Sequence, residues 1–258
     1  MSSLSQGMIP NRSVEDAPAE YNTVDATLWF VDACWKTLVA RWDESLAREA
    51  LEAGAEIFNW HVKGTRYQIG VDPNDGLLRQ GEPGVQLTWM DAKIGDWTVT
   101  PRHGKPVEIN ALWINALRIW EALADRLGAS SERYRLAAIK AEASFESTFW
   151  RDNLGYYLDT ADPDDASLRP NQVIAMAVPF SPCDPAHAQR ALDCCDAELV
   201  TPFGLRTLAH SDARFIGRYE GPLPKLDEAY HQGTVWPWLL GPYVDAVIRY
   251  RGDKPGAK

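Results

Sequence analysis

No Gly-x-Ser-x-Gly elbow, phosphate-binding loop, dinucleotide fingerprint or His-Glu-x-x-His motif occurs in the 258-residue chain. Serine hydrolase, nucleotide-dependent and zinc-protease chemistries therefore lack their usual sequence support. Basic charge is short as well: 26 Lys and Arg face 36 Asp and Glu, a formal net charge of −10. Such a chain has no positive field to gather phosphates, and nucleic acid is not expected as a partner. Long apolar runs are missing too. The stretch 235–247 is broken by Pro237, Pro242 and Asp245 and falls short of the roughly 20 residues that cross a bilayer, so no membrane is expected.

Cysteine is sparse. Cys34, Cys183, Cys194 and Cys195 show neither Cys-x-x-Cys spacing nor a histidine pattern beside them, and they read as reduced, structural thiols of a cytoplasmic protein. The first ten residues lack the basic start and apolar run of a secretory signal. The five histidines are widely separated, so a metal site would have to be built from Asp and Glu alone. Neither a metal nor another cofactor is expected.

What the chain does have is tryptophan, eleven in all, within a composition that is 45% hydrophobic. This suffices for one large core. The tryptophans serve either as large fillers of a helical core or as flat platforms against which the C–H face of a sugar ring packs. Apolar residues recur at helical spacing over 23–40, 44–63, 106–126, 132–150, 185–199 and 234–250, which predicts an all-α domain of antiparallel helix pairs. Pro106 suits a first helical turn, Gly128 a helix end, and Ser131 the cap of the next helix. The segments 70–103, 152–171 and 201–232 read as long loops carrying small hairpins. Within them lie the turn Asp72-Pro73-Asn74-Asp75-Gly76 and a short strand in Gly155-Tyr156-Tyr157-Leu158-Asp159. Residues 1–20 read as an irregular lead-in to a domain over 21–258.

Loops of that length in a compact domain are usually functional. The run 86–104 collects two carboxylates, two tryptophans, Lys93, Arg102 and His103. Asp91, flanked by Trp89 and Met90, is placed for partial desolvation, which raises a carboxyl pKa as a general acid working near neutrality requires. Asp96 follows a glycine and sits in a more open setting. Read alone, Asp91 serves as well as a helix cap or a solvated loop carboxylate. Two further clusters mark helix starts: Tyr230-His231-Gln232-Gly233-Thr234-Val235-Trp236-Pro237-Trp238 and Tyr21-Asn22-Thr23-Val24-Asp25-Ala26. In these Thr234 suits a cap and Asp25 suits the positive end of a helix dipole.

Several of these segments together resemble the amylo-alpha-1,6-glucosidase part of glycogen debranching enzymes of the single-chain bacterial and archaeal type. The resemblance is carried by Gly7-Met8-Ile9-Pro10-Asn11-Arg12, by the Tyr21 cluster continuing to Thr27-Leu28-Trp29-Phe30, and by the runs 81–93 and 101–113. Leu168-Arg169-Pro170-Asn171-Gln172 and the segment 230–237 complete it. It implies an (α/α)6 toroid, of which this chain supplies about seven of twelve helices, and hydrolysis of α-1,6-linked glucose stubs on glycogen or limit dextrin with inversion. In an inverting hydrolase an acid protonates the departing oxygen while a second carboxylate, roughly 6.5–9.5 Å away, activates water on the opposite face. The resemblance makes Asp91 the acid and places Asp25, Trp89, Lys93, Arg102, His231, Gln232 and Trp236 around the glucose.

The same comparison implies a truncated piece whose catalytic base lies beyond Lys258. Glu108, Glu220 and Glu228 are substitutes in principle. An incomplete ring exposes apolar helix seams through which association is expected. Two other readings remain open: another hydrolase or phosphorylase on the same toroid, such as a trehalase-like enzyme, and a non-catalytic glucan-binding remnant.

Overall fold

A computed structural model describes residues 3–12 and 18–252. Residues 1, 2 and 13–17 of the expected lead-in, and 253–258 at the other end, lie outside the described residues. The described residues form eight α-helices: α1 (Asp25–Ala40), α2 (Glu44–Lys63), α3 (Val107–Arg126), α4 (Glu132–Phe149), α5 (Asn171–Ala177), α6 (Pro185–Glu198), α7 (Leu223–Tyr230) and α8 (Leu240–Arg251). None of the described helices is long and apolar enough to cross a membrane.

Local chemistry explains most of the helix ends. The Asp43 carboxylate accepts from the Leu46 amide at 3.1 Å and starts α2. Asp184 likewise accepts from Ala186 and His187 ahead of α6, with Pro185 in the first turn. Helix α3 closes at Gly128, whose φ of 69° lets the Gly128 amide reach Asp125 and the Ala129 amide reach Ala124, a Schellman end. Ser131 does not cap α4 through its side chain; its carbonyl receives the Tyr134 and Arg135 amides instead.

Helices α1, α3, α5 and α8 pack each against the next as an inner row, and α2, α4 and α6 cover them from outside. Helix α3 lies between α1 and α5 in the inner row and is covered by α2 and α4, which is why it is buried on nearly every side, from Val107 to Ala124. It packs tightly on α2 at Gly54, where a Cβ would stand 2.3 Å from the indole nitrogen of Trp120. Polar side chains inside α3 are matched. Asn110 bonds both the amide and the carbonyl of Leu78, and Asn115 receives the Phe180 amide while donating to Asp32.

The loops gather at one end, dressed by two-residue antiparallel pairings: 70–71 with 78–79, 93–94 with 97–98, 150–151 with 156–157, and 105–106 with 160–161. Strand 204–206 lies between 200–201 and 235–236. Both the turn at Asp72 and the strand at Tyr156–Tyr157 form as the sequence predicts.

Two elements differ. Leu223–Tyr230 is helical inside the expected loop 201–232, because Pro222 and Pro224 fall at the helix start, where a missing N–H costs nothing. Helix α8 begins at Leu240 instead of Thr234. Val235–Trp236 is claimed by strand pairing, and the Thr234 hydroxyl donates back to the Ala229 carbonyl rather than capping. Val39 on α1 and Ile248 on α8 are 65% and 61% exposed, beside a cavity of about 620 Å³ whose lining mixes Trp35, Ala177 and Pro179 with Lys36, Asp245 and Arg249.

Candidate active site

The inner helices α1, α3 and α5 begin at the same end, and their first residues meet there. Val107 donates to the Asp159 carbonyl at 3.1 Å, and Val24 donates to the Leu87 carbonyl at 2.8 Å. These two bonds fasten the loop before Asp91 and the loop before α5 to the helix starts.

Arg102 stands at the centre. Its guanidinium donates to Asp159 Oδ2 at 2.7 Å, to Glu108 Oε2 at 2.6 Å, to Thr88 Oγ1 at 3.2 Å and to the Asp159 carbonyl at 3.1 Å. A second bond ties it to Glu108 Oε1. Burial alone would lower its pKa; Asp159 and Glu108 outweigh that and raise it. Asn171, the first residue of α5, continues the network by donating to Asp159 Oδ1 at 2.6 Å and accepting from the Trp89 indole N–H at 2.7 Å.

Arg169 clamps the other side. It donates to the carbonyls of Thr207 and His231 at 3.0 and 2.7 Å and to Gln232 Oε1 at 2.8 Å, while its Nε is buried without a hydrogen-bond partner, 3.8 Å from Asp159 Oδ2. A cavity of about 300 Å³, lined in part by Thr100, His103, Asp165 and Gln232, adjoins the two arginines.

Asp25 is buried beside this network and accepts from the amides of Ala26 and Trp89. Desolvation first, and the nearby Glu108 second, push its carboxyl up to about 7. With Asp25 protonated, the two guanidinium charges of Arg102 and Arg169 are met by the two carboxylates of Asp159 and Glu108. A third buried anion would upset that balance.

Asp91 stands just outside this buried set. The residue is exposed, yet neighbouring protein displaces enough water from the carboxyl to raise its pKa, against the pull of its own backbone amide. The loop beneath it is held firmly: the Met90 carbonyl accepts from Thr100 Oγ1 at 2.9 Å, and the Met90 side chain is buried. The Trp89 ring meets His231 edge-on at 5.3 Å and Trp238 at 5.0 Å. Burial, then Arg169 and Arg102, lower the His231 pKa to about 3, so the ring is neutral at physiological pH, with Nδ1 buried and unpaired. Trp236 donates from its indole to the Tyr230 carbonyl at 3.1 Å.

Of the residues predicted from sequence, Asp25, Trp89, Arg102, His231, Gln232 and Trp236 are thus drawn into one connected cluster, with Asp91 at its rim. Lys93 is not drawn in. It is exposed and donates to the Gly84 carbonyl at 2.9 Å. Arg102 spends its donors on protein, which makes it an organiser of the site. Three residues escaped the local reading of the sequence: Asp159, Asn171 and Arg169. The Leu168–Gln172 motif was the one signal for the last two. Glu108, considered as a base, has both oxygens bonded to Arg102.

A family model described as amylo-alpha-1,6-glucosidase matches residues 1–257. The glycogen debranching enzyme of Saccharomyces cerevisiae is 30% identical over 238 residues, taking in 73% of this chain and 15% of that protein. The chain therefore spans less than a sixth of that relative's length. Among solved structures, a GH63 mannosylglycerate hydrolase from Thermus thermophilus, in complex with Tris and D-glycerate, superposes with a TM-score of 0.70 at 14% identity, covering 97% of this chain and 74% of that one. A rhamnosidase from Klebsiella oxytoca with rhamnose bound gives 0.58 at 15% identity, covering 95% and 39%. At such identities the likeness is one of fold.

Proposed function

The chain belongs to the amylo-alpha-1,6-glucosidase family of glycoside hydrolases, and from that premise we propose that it supplies the general acid, Asp91, for inverting removal of α-1,6-linked glucose from a branched α-glucan, a reaction in which a second carboxylate activates the water. The observation that carries this reading is the setting of Asp91: a carboxyl with a raised pKa, on a loop fixed by buried bonds, next to an indole whose orientation is itself held by Asn171. A carboxyl whose charged form is disfavoured by desolvation holds its proton more tightly than one in water and can pass it to the departing glycosidic oxygen.

Trp89, Trp236 and the neutral His231 form the apolar and aromatic side of the glucose subsite, and Gln232 contributes an amide to the sugar hydroxyls. Asp25 supports the Trp89 backbone from beneath. Arg102 acts through Glu108 and Asp159, and Lys93 borders the entrance on the hairpin that follows Asp91. The double row of helices belongs to an (α/α)6 toroid, with α1, α3, α5 and α8 in its inner ring. Four free thiols suit a reducing compartment, and we place the activity in the cytoplasm.

Inversion is tested by following glucose release from a limit dextrin by proton NMR. Inversion at an α-linked glucose yields the β-anomer first. The α-anomer as first product would overturn the mechanism.

A further inference from the structure

A file of rings runs across the site. Tyr219 lies 6.0 Å from Tyr230, Tyr230 lies 4.9 Å from His231, His231 lies 5.3 Å from Trp89, and Trp89 lies 5.0 Å from Trp238. His231 in the middle is buried, whereas the two ends, Tyr219 and Trp238, are 49% and 43% exposed. An aromatic cluster that served only the core would bury its ends, because each ring gains most from losing water on both faces. This file instead comes to the surface on either side of the glucose subsite.

The side on which Tyr219 emerges is the side of the acid. Tyr230 is close enough to Asp91 for that carboxylate to bear on its phenol. The hairpin at Lys93–Ile94 and Trp97–Thr98, which starts two residues after Asp91, packs against α7, whose last residue is Tyr230. A general acid protonates the oxygen of the leaving group. In removal of an α-1,6 stub, that leaving group is the glucan main chain, which must therefore pass Asp91 on its way out of the site.

We propose that Tyr219 and Tyr230 form a platform for that main chain, a subsite for α-1,4-linked glucosyl units distinct from the one that holds the terminal glucose. It rests on the glucosidase reading above. The flat faces of the two phenols pack on the C–H faces of successive sugars and their hydroxyls remain wet, the combination for which tyrosine is suited. A small α-1,6 disaccharide would gain little from such a platform, and a branched chain of several glucosyl units would gain most.

The test compares affinities for glucose and maltoheptaose by ligand-observed NMR titration of the whole chain. The wild type is set beside Tyr219→Ala and Tyr219→Phe, with Tyr219→Leu as a bulk-preserving alternative should the alanine variant lose its fold. The platform predicts maltoheptaose binding tighter than glucose by roughly three- to ten-fold, the scale of one or two aromatic contacts. That ratio should collapse toward one in Tyr219→Ala and Tyr219→Leu and survive in Tyr219→Phe. An equal ratio in wild type and Tyr219→Ala, or no gain for maltoheptaose in the wild type while glucose still binds, overturns the platform and leaves the glucose subsite standing. Binding of neither sugar overturns both.

Discussion

The Trp89 indole donates to Asn171, and the same Asn171 side chain donates on to Asp159, so a tryptophan next to the acid is oriented from within the buried ion-pair network. Orientation of an aromatic platform is thereby coupled to folding of the helix end at α5. Replacing Asn171 with Leu leaves a half-buried indole N–H without this partner and leaves Asp159 Oδ1 with its Arg102 donor alone. At about 1–3 kcal/mol for each such group, the variant should lose roughly 2–4 kcal/mol in urea denaturation and bind glucose more weakly. A loss below about 0.5 kcal/mol would show that the relay is not under load.

Arg102 joins Glu108, Asp159 and Thr88 with every partner buried. Arg102→Met removes the positive charge and strands two carboxylates, a change that costs about 3–5 kcal/mol when one partner of a buried pair is deleted. Arg102→Lys keeps the charge but cannot reproduce the fork, and should fall between wild type and Met. Denaturation midpoints order the three proteins; a lysine variant as stable as wild type would contradict the geometry.

Much of this arrangement is legible in the sequence, and the residues show where legibility ends. Helix α2 could be read to its ends because Asp43 supplies a cap and small apolar residues recur on one face up to Ile57. Helix α7 escaped because Pro222 and Pro224 look like breakers until their place in the first turn is known. The setting of Asp91 directly after Trp89 and Met90 is a local feature, visible in three letters. The task of Arg102 is not local: its partners stand 6, 14 and 57 positions away, and only the meeting of the helix starts reveals that its donors are already spent. Lys93 illustrates the reverse case, a charged neighbour of the acid that the hairpin turns toward Gly84.

Asp25 makes stability depend on pH in a defined direction. Its carboxyl titrates at about 7 in the fold against an ordinary 3.8, so between those values the native state holds a proton that the unfolded chain has released. The stability it contributes is complete below about pH 4 and is lost as pH rises through about 7. Asp25→Asn removes this dependence. The variant should gain on wild type by on the order of 3–4 kcal/mol between about pH 4 and pH 8. His61 and His231, held neutral with values near 4 and 3, act alike in both proteins and cancel in the difference. Denaturation at a series of pH values reads it; a difference independent of pH would show that Asp25 is ionised throughout.

The general-acid role of Asp91 is tested most directly by glucose release from a limit dextrin, comparing wild type with Asp91→Asn at equal fold content. An amide cannot donate the proton that the leaving oxygen needs. The substitution should therefore lower kcat by about 10²–10⁴-fold while glucose affinity changes far less. Release by Asp91→Asn at the wild-type rate would contradict the account.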